Sequence, residues 1–116
     1  MRRDDDYIRD LLFEAETSES AYLYAGLVLN TSDEDLKRHM HCKWLTDAGF
    51  FHEHRESVFR ITNQGHDYLS AIRSETVWIK TKAAASSAGG LGLGLMKDIA
   101  MAYVKQELSG RLGIQL

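Results

Sequence analysis

Between Ser32 and Ile72 the hydrophobic pattern changes period twice, and each change falls on a residue able to stop or start an element. Apolar side chains recur at helical spacing up to Ala48, and Gly49 ends that run. Phe50–Arg55 and Ser57–Thr62 are short β-prone runs carrying Phe51, Val58, Phe59 and Ile61, with little room between them for anything but a tight hairpin. Thr62 then caps a second helical stretch. A helix, a hairpin and a helix in so few residues leave few folds open.

The first helix of this stretch opens with Ser32 followed by Asp35, a capping box with Asp in place of the usual Glu. A step of about 100° per residue puts His41, Trp44, Leu45 and Ala48 on one side and His39, Lys43 and Thr46 on the other. The first side is predicted to pack, with Trp44 inside and His41 a buried histidine held by one hydrogen bond. Leu36 and Met40 point toward the exposed side and need another neighbour.

Upstream, Arg3–Glu16 reads as a helix with Ile8, Leu11, Leu12 and Ala15 on one stripe, and Asp4, Asp5 and Asp6 meet the positive end of its dipole. Residues 21–29 lack helical periodicity and are predicted to form a short, mostly buried strand. Downstream, Tyr68, Leu69, Ile72, Thr76 and Ile79 keep helical spacing to about Lys82. Residues 83–94 are an Ala, Ser and Gly stretch. From Leu95 to Leu108 an amphipathic helix carries Leu95, Ile99, Ala102 and Tyr103 on one stripe, which must be buried on its own domain or on a second copy, because isolated helices of this length are marginal in water.

The predicted fold is therefore mainly α with a small antiparallel β-sheet. It is winged-helix-like (helix, strand, helix, β-hairpin wing, helix) over residues 1–84, with a Gly-rich linker over 85–94 and a C-terminal amphipathic helix over 95–116. In such folds another helix precedes the one that reads DNA. Here only Gly26–Asp35 is available for it, so that helix is degenerate or missing.

At 116 residues the chain has the size of one domain, and 44% hydrophobic with 27% charged residues is an ordinary globular composition. Cys42 is the single cysteine, which excludes an internal disulfide. The first residues lack the apolar core of a signal peptide, so a cytoplasmic location is expected. The longest apolar stretch, 83–104, is interrupted by glycines, Lys97 and Asp98, and predicts no membrane span.

The net charge of −3 is unevenly spread. Residues 1–35 carry 3 Lys/Arg against 10 Asp/Glu, residues 36–60 carry 5 against 3, and residues 61–116 carry 6 against 4. The middle segment also holds His39, His41, His52 and His54, so a local positive field is expected there. Lys37, Arg38, His39 and Lys43 on the helix and Arg55 at the hairpin tip are the candidate DNA-binding residues. Lys and Arg would contact phosphates and His39 a base edge.

Other constellations are weaker. His52 and His54 share a strand face, but no third ligand is indicated, and no metal or cofactor is expected. The run from Gly89 to Gly94 lacks the Lys-Ser or Lys-Thr of a phosphate loop and reads as a linker. No nucleophile, base and acid arrangement has local support, so no enzyme activity and no small-molecule substrate are expected.

Longer motifs carry a family resemblance. Arg2-Arg3-Asp4-x-Asp6-x-Ile8-Arg9-x-Leu11-Leu12 opens the chain and His41-x-x-x-Leu45-x-x-Ala48-Gly49 stands in the middle. Thr62-x-x-Gly65-His66-Asp67-Tyr68-Leu69-x-Ala71-Ile72-Arg73-x-x-Thr76-Val77-Trp78 follows, then Gly89-Gly90 and an apolar tail. Over nearly its whole length the chain resembles the family of small bacterial and phage proteins known as domain of unknown function 2513. The resemblance implies a winged-helix-like fold and transfers no catalytic or binding residue. Two functions are expected to compete: a DNA-binding regulator of bacterial or prophage origin, with homodimerisation through its terminal helices as the expected assembly, and a protein-interaction module that uses the same fold without DNA. The acidic amino-terminal third favours the second, because it repels phosphate.

Overall fold

A computed structural model describes residues 1–113 and 115. Its chain is mainly helical with a small antiparallel sheet, in the order α1 (Asp5–Thr17), β1 (Leu23–Tyr24), α2 (Asp33–Asp47), β2 (Phe51–Arg55), β3 (Val58–Ile61), α3 (Asn63–Ile72), α4 (Glu75–Ser87) and α5 (Leu93–Leu112). Helix, strand, helix, hairpin and helix follow one another as the periodicities predict. Two compact units divide it, Met1–Asp67 and Tyr68–Leu116. Among the described residues no helix is long and apolar enough to cross a membrane. The end of the predicted C-terminal helix includes Ile114 and Leu116, which lie outside the described residues.

In the first unit, α1 buries the expected stripe of Ile8, Leu11, Leu12 and Ala15. Asp4 is its N-cap and accepts from the Tyr7 N–H at 3.1 Å, so the acidic run begins with a cap. The sheet order is β1-β3-β2, all antiparallel. Strand β1 is only two residues long, not the 21–29 strand predicted: Leu23 pairs with Phe59 and Tyr24 with Val58, and the chain then leaves the sheet. Between Glu53 and Arg55 the register slips, placing His54 in a bulge, where it stacks on Tyr22 at 5.2 Å.

Two glycines set the path from α2 into the hairpin and on to α3. Gly49 has φ +84°, a left-handed conformation that favours glycine. At Gly65 a Cβ would lie 2.2 Å from the Phe50 carbonyl oxygen, so only glycine permits that approach. Thr62 joins the same corner: its hydroxyl donates to the Gly49 carbonyl at 2.6 Å and accepts from the Gly65 N–H at 3.1 Å.

In the second unit the continuous helix predicted to Lys82 is broken. Arg73 and Ser74 separate α3 from α4, and Ser74 caps α4 by accepting from the Val77 N–H. The cap restarts the helix in a new phase, so Val77, Trp78, Thr81 and Ala85 are buried and Ile79 is exposed. The residues 83–87 continue α4, and the segment between α4 and α5 is 88–92. Helix α5 packs on α4. It buries Leu93, Met96 and Ala100, one step out of phase with the predicted stripe, and Leu95 is exposed. Fully burying a leucine or methionine side chain such as Leu93 or Met96 contributes roughly 1.5–3 kcal/mol.

Candidate functional site

Ser32 caps α2 by accepting from the Asp35 N–H at 3.1 Å, and Asp33, Glu34 and Asp35 occupy the first turn. The predicted face is partly correct. His41, Cys42 and Leu45 are buried, whereas Trp44 is only half-buried, its ring edge-on to His41 at 4.8 Å.

The predicted DNA-contact residues are distributed by the fold in an unexpected way. Lys37 extends its Nζ to Asp4 Oδ2 at 3.1 Å and lies 4.5 Å from the centre of the Tyr7 ring. Arg38 grips Glu14 with two parallel bonds of 2.9 and 2.6 Å, and its Nε donates to the Tyr24 carbonyl at 3.1 Å. His39 donates from Nδ1 to the Ala25 carbonyl at 2.7 Å. Lys43 meets Glu53 Oε1 at 2.8 Å. Four of the five side chains therefore fasten α2 to α1, to the turn after β1 and to β2. Arg55 stands exposed at the hairpin tip, with no ion pair among the described residues.

The acids in these pairs respond as partners of cations. Glu14 is held below its ordinary carboxylate range by the Arg38 bonds, Glu53 by Lys43 and the Ser57 N–H, and Asp4 by the Tyr7 N–H and Lys37. Three cations of α2 thus face three carboxylates, while Asp33, Glu34 and Asp35 remain beside them. By formal charge the first turn of α2 is acidic, and the cations that follow it are each paired with a carboxylate.

His41 is fully buried and has two partners where one was expected. Its Nδ1 donates to the Lys37 carbonyl at 2.7 Å, and Nε2 accepts the Asp4 N–H at 2.9 Å. Tyr7 and Trp44 both meet the ring edge-on, at 4.9 and 4.8 Å. Only the neutral ring can accept at Nε2, and burial pushes its pKa down. Cys42 beside it is buried, and its thiol is pushed up to about 12, which leaves it unreactive. Among the described residues no group of three or more His, Cys, Asp or Glu is placed to hold a metal ion.

Among the described residues, the most exposed apolar side chain lies where a buried strand was predicted. After Ala25 the chain makes a turn in which the Val28 carbonyl accepts from the Thr31 N–H at 3.1 Å and the Val28 N–H donates to the Thr31 hydroxyl at 2.8 Å. Asn30 takes a left-handed φ of +64° there. This ordered turn leaves Leu29 94% and Val28 71% exposed, with Tyr24, Leu27 and Leu36 around them also exposed. Tyr24, Ala25, Gly26, Val28, Asp35 and Arg38 line an open hollow of about 320 Å³. Its sequence signal was the position of Leu27-Val28-Leu29 between Gly26 and Asn30, with no further strand available to cover it.

Residues 2–91 match a family model described as "Hypothetical protein (DUF2513)". No curated protein matches the chain, and no solved structure does.

Proposed function

The chain belongs to the DUF2513 family, whose description assigns no activity, and we propose from its geometry that it is a protein-interaction module built on a winged-helix-like fold and not an enzyme. One observation carries this reading: every Lys and Arg of α2 is already bound to a carboxylate of its own unit, while an ordered apolar turn stands uncovered beside that helix. Phosphate binding on α2 would compete with those carboxylates and with three further acids in its first turn. An exposed apolar patch rimmed by polar residues instead marks a protein surface.

The test is polarisation of a labelled mixed-sequence duplex at low salt. No saturable binding is expected, and replacing Lys37, Arg38 and Lys43 by Glu should leave the signal unchanged. Saturable duplex binding that weakens steeply with added salt would overturn the proposal, whether or not it survives in that variant.

A DNA-binding regulator is the second reading, favoured by the hairpin. His52, His54, Arg55 and Arg60 are exposed there, and His52 pairs with Arg60 across the two strands. In that case contact runs through the wing, and Arg55→Glu with Arg60→Glu abolishes it.

A further inference from the structure

The apolar turn beside α2 has a complement elsewhere in the same sequence. On the last turns of α5, Leu108 and Leu112 are exposed, Leu112 by 60%, and Lys105 and Arg111 are exposed beside them. These positions, spaced by three and four residues, form a basic, apolar stripe on an unburied part of the helix. On the first unit, Val28, Leu29 and Leu36 are exposed next to Asp33 and Asp35, whose carboxylates make no ion pair among the described residues. One surface is apolar with acids, the other apolar with bases.

Resting on the protein-interaction reading, we infer that the partner for this surface is a second copy of the chain: the end of α5 of one copy lies on the 27–36 turn of the other. Leucine side chains from α5 cover Val28, Leu29 and Leu36, one of them entering the hollow between Tyr24 and Val28. Lys105 and Arg111 meet Asp33 and Asp35. The match in charge selects this occupant. An acidic helix would be repelled by the first turn of α2, and the two-residue β1 is too short an edge to recruit an extended peptide by strand addition. The turn is fixed by Thr31, so little order has to be imposed on binding, which favours association through a small patch.

Sedimentation velocity on the full chain, over about 1 μM to 1 mM, tests this. A monomer–dimer equilibrium is expected. Leu29→Asp and Leu112→Asp should each weaken it at least about tenfold, a loss typical of a central interface side chain. Both positions are exposed, and unchanged circular dichroism melting will show that neither variant acts through unfolding. Asp33→Lys with Asp35→Lys should also weaken self-association, and mixing that chain with a Lys105→Glu, Arg111→Glu chain should restore a dimer. A dimer insensitive to all these changes overturns the inference, as does a monomer that binds a labelled Leu-Lys amphipathic peptide at the same surface. A monomer with neither property and no duplex affinity also overturns it, yet leaves the interaction reading in place. A monomer that binds duplex DNA defeats both.

Discussion

Helix α2 and the turn that leads into it are adjacent in sequence and opposite in the use they make of their side chains. On α2, Lys37, Arg38, His39 and Lys43 look like a basic face and are all engaged by the protein itself. In the turn, Leu27, Val28 and Leu29 look like core and are uncovered. Charge counted along a chain is therefore not charge available to a ligand, and hydrophobicity counted along a chain is not burial. What decides both is which partners the fold brings within reach.

Removing an engaged group should have the largest effect, and His41 is the most engaged of all. His41→Ala removes two hydrogen bonds and two ring contacts and leaves the Asp4 N–H at the start of α1 without its acceptor. Urea unfolding should show a loss of about 2–4 kcal/mol. Acid should remove the same acceptor reversibly. Burial holds the folded pKa of His41 below its ordinary 6.5, against the pull of the Lys37 carbonyl bond and the neighbouring Asp4 and Asp5. The unfolded chain therefore binds more protons between that lowered value and 6.5. This contribution to stability is complete above 6.5 and is lost as pH falls toward the lowered value. Asp4, Glu14 and Glu53 act in the same direction at lower pH, because their folded pKa values lie below the unfolded ones. An unfolding free energy flat across pH 6.5, or equal slopes there in the protein and His41→Ala, would break the first half of the comparison.

Much of this was legible in the sequence. The α1 stripe, the Ser32 cap, the Gly49 stop, the hairpin and the Thr62 cap depend on neighbours a few residues apart, and short-range patterns reveal them. The engagement of the cations was not legible, because Arg38 and Glu14 lie 24 positions apart and Lys37 and Asp4 lie 33 apart. The break at Arg73 and Ser74 was hidden for another reason. Thr76 and Ile79 continue the spacing of Tyr68 and Ile72, so a phase reset by the Ser74 cap leaves no gap in the pattern. Nor could residues 21–29 reveal that only Leu23 and Tyr24 find a strand to pair with.

A middle-sized effect separates two arginines of the same segment. Arg38 makes a bidentate pair with Glu14 and a third bond to Tyr24, but the carboxylate is nearly half exposed, so solvent screens the pair. Arg38→Met should cost about 1 kcal/mol, the upper end for a surface pair. Arg55→Met should cost less than about 0.5 kcal/mol, because no ion pair among the described residues is lost. Equal losses in chemical denaturation would mean that the engaged and free cations do not differ.

The smallest effect is expected where side-chain hydrophobicity is greatest. Leu29 is 94% exposed, so unfolding gives it almost no further contact with water, and Leu29→Ser should change the unfolding free energy of the monomer by less than about 0.5 kcal/mol. The turn itself is held by Thr31 and by the left-handed Asn30, neither of which uses the Leu29 side chain. A leucine in the core typically costs about 2–5 kcal/mol when truncated, so Leu45→Ala, at a position with no exposure, is the matched control. Dilute protein should show a large loss for Leu45→Ala and almost none for Leu29→Ser. At high concentration Leu29→Ser should lose whatever stability self-association adds, since binding that favours the folded state raises its stability by mass action. A concentration-independent loss of core size at Leu29 would mean that the turn is covered within a single chain, and the contrast with α2 would vanish.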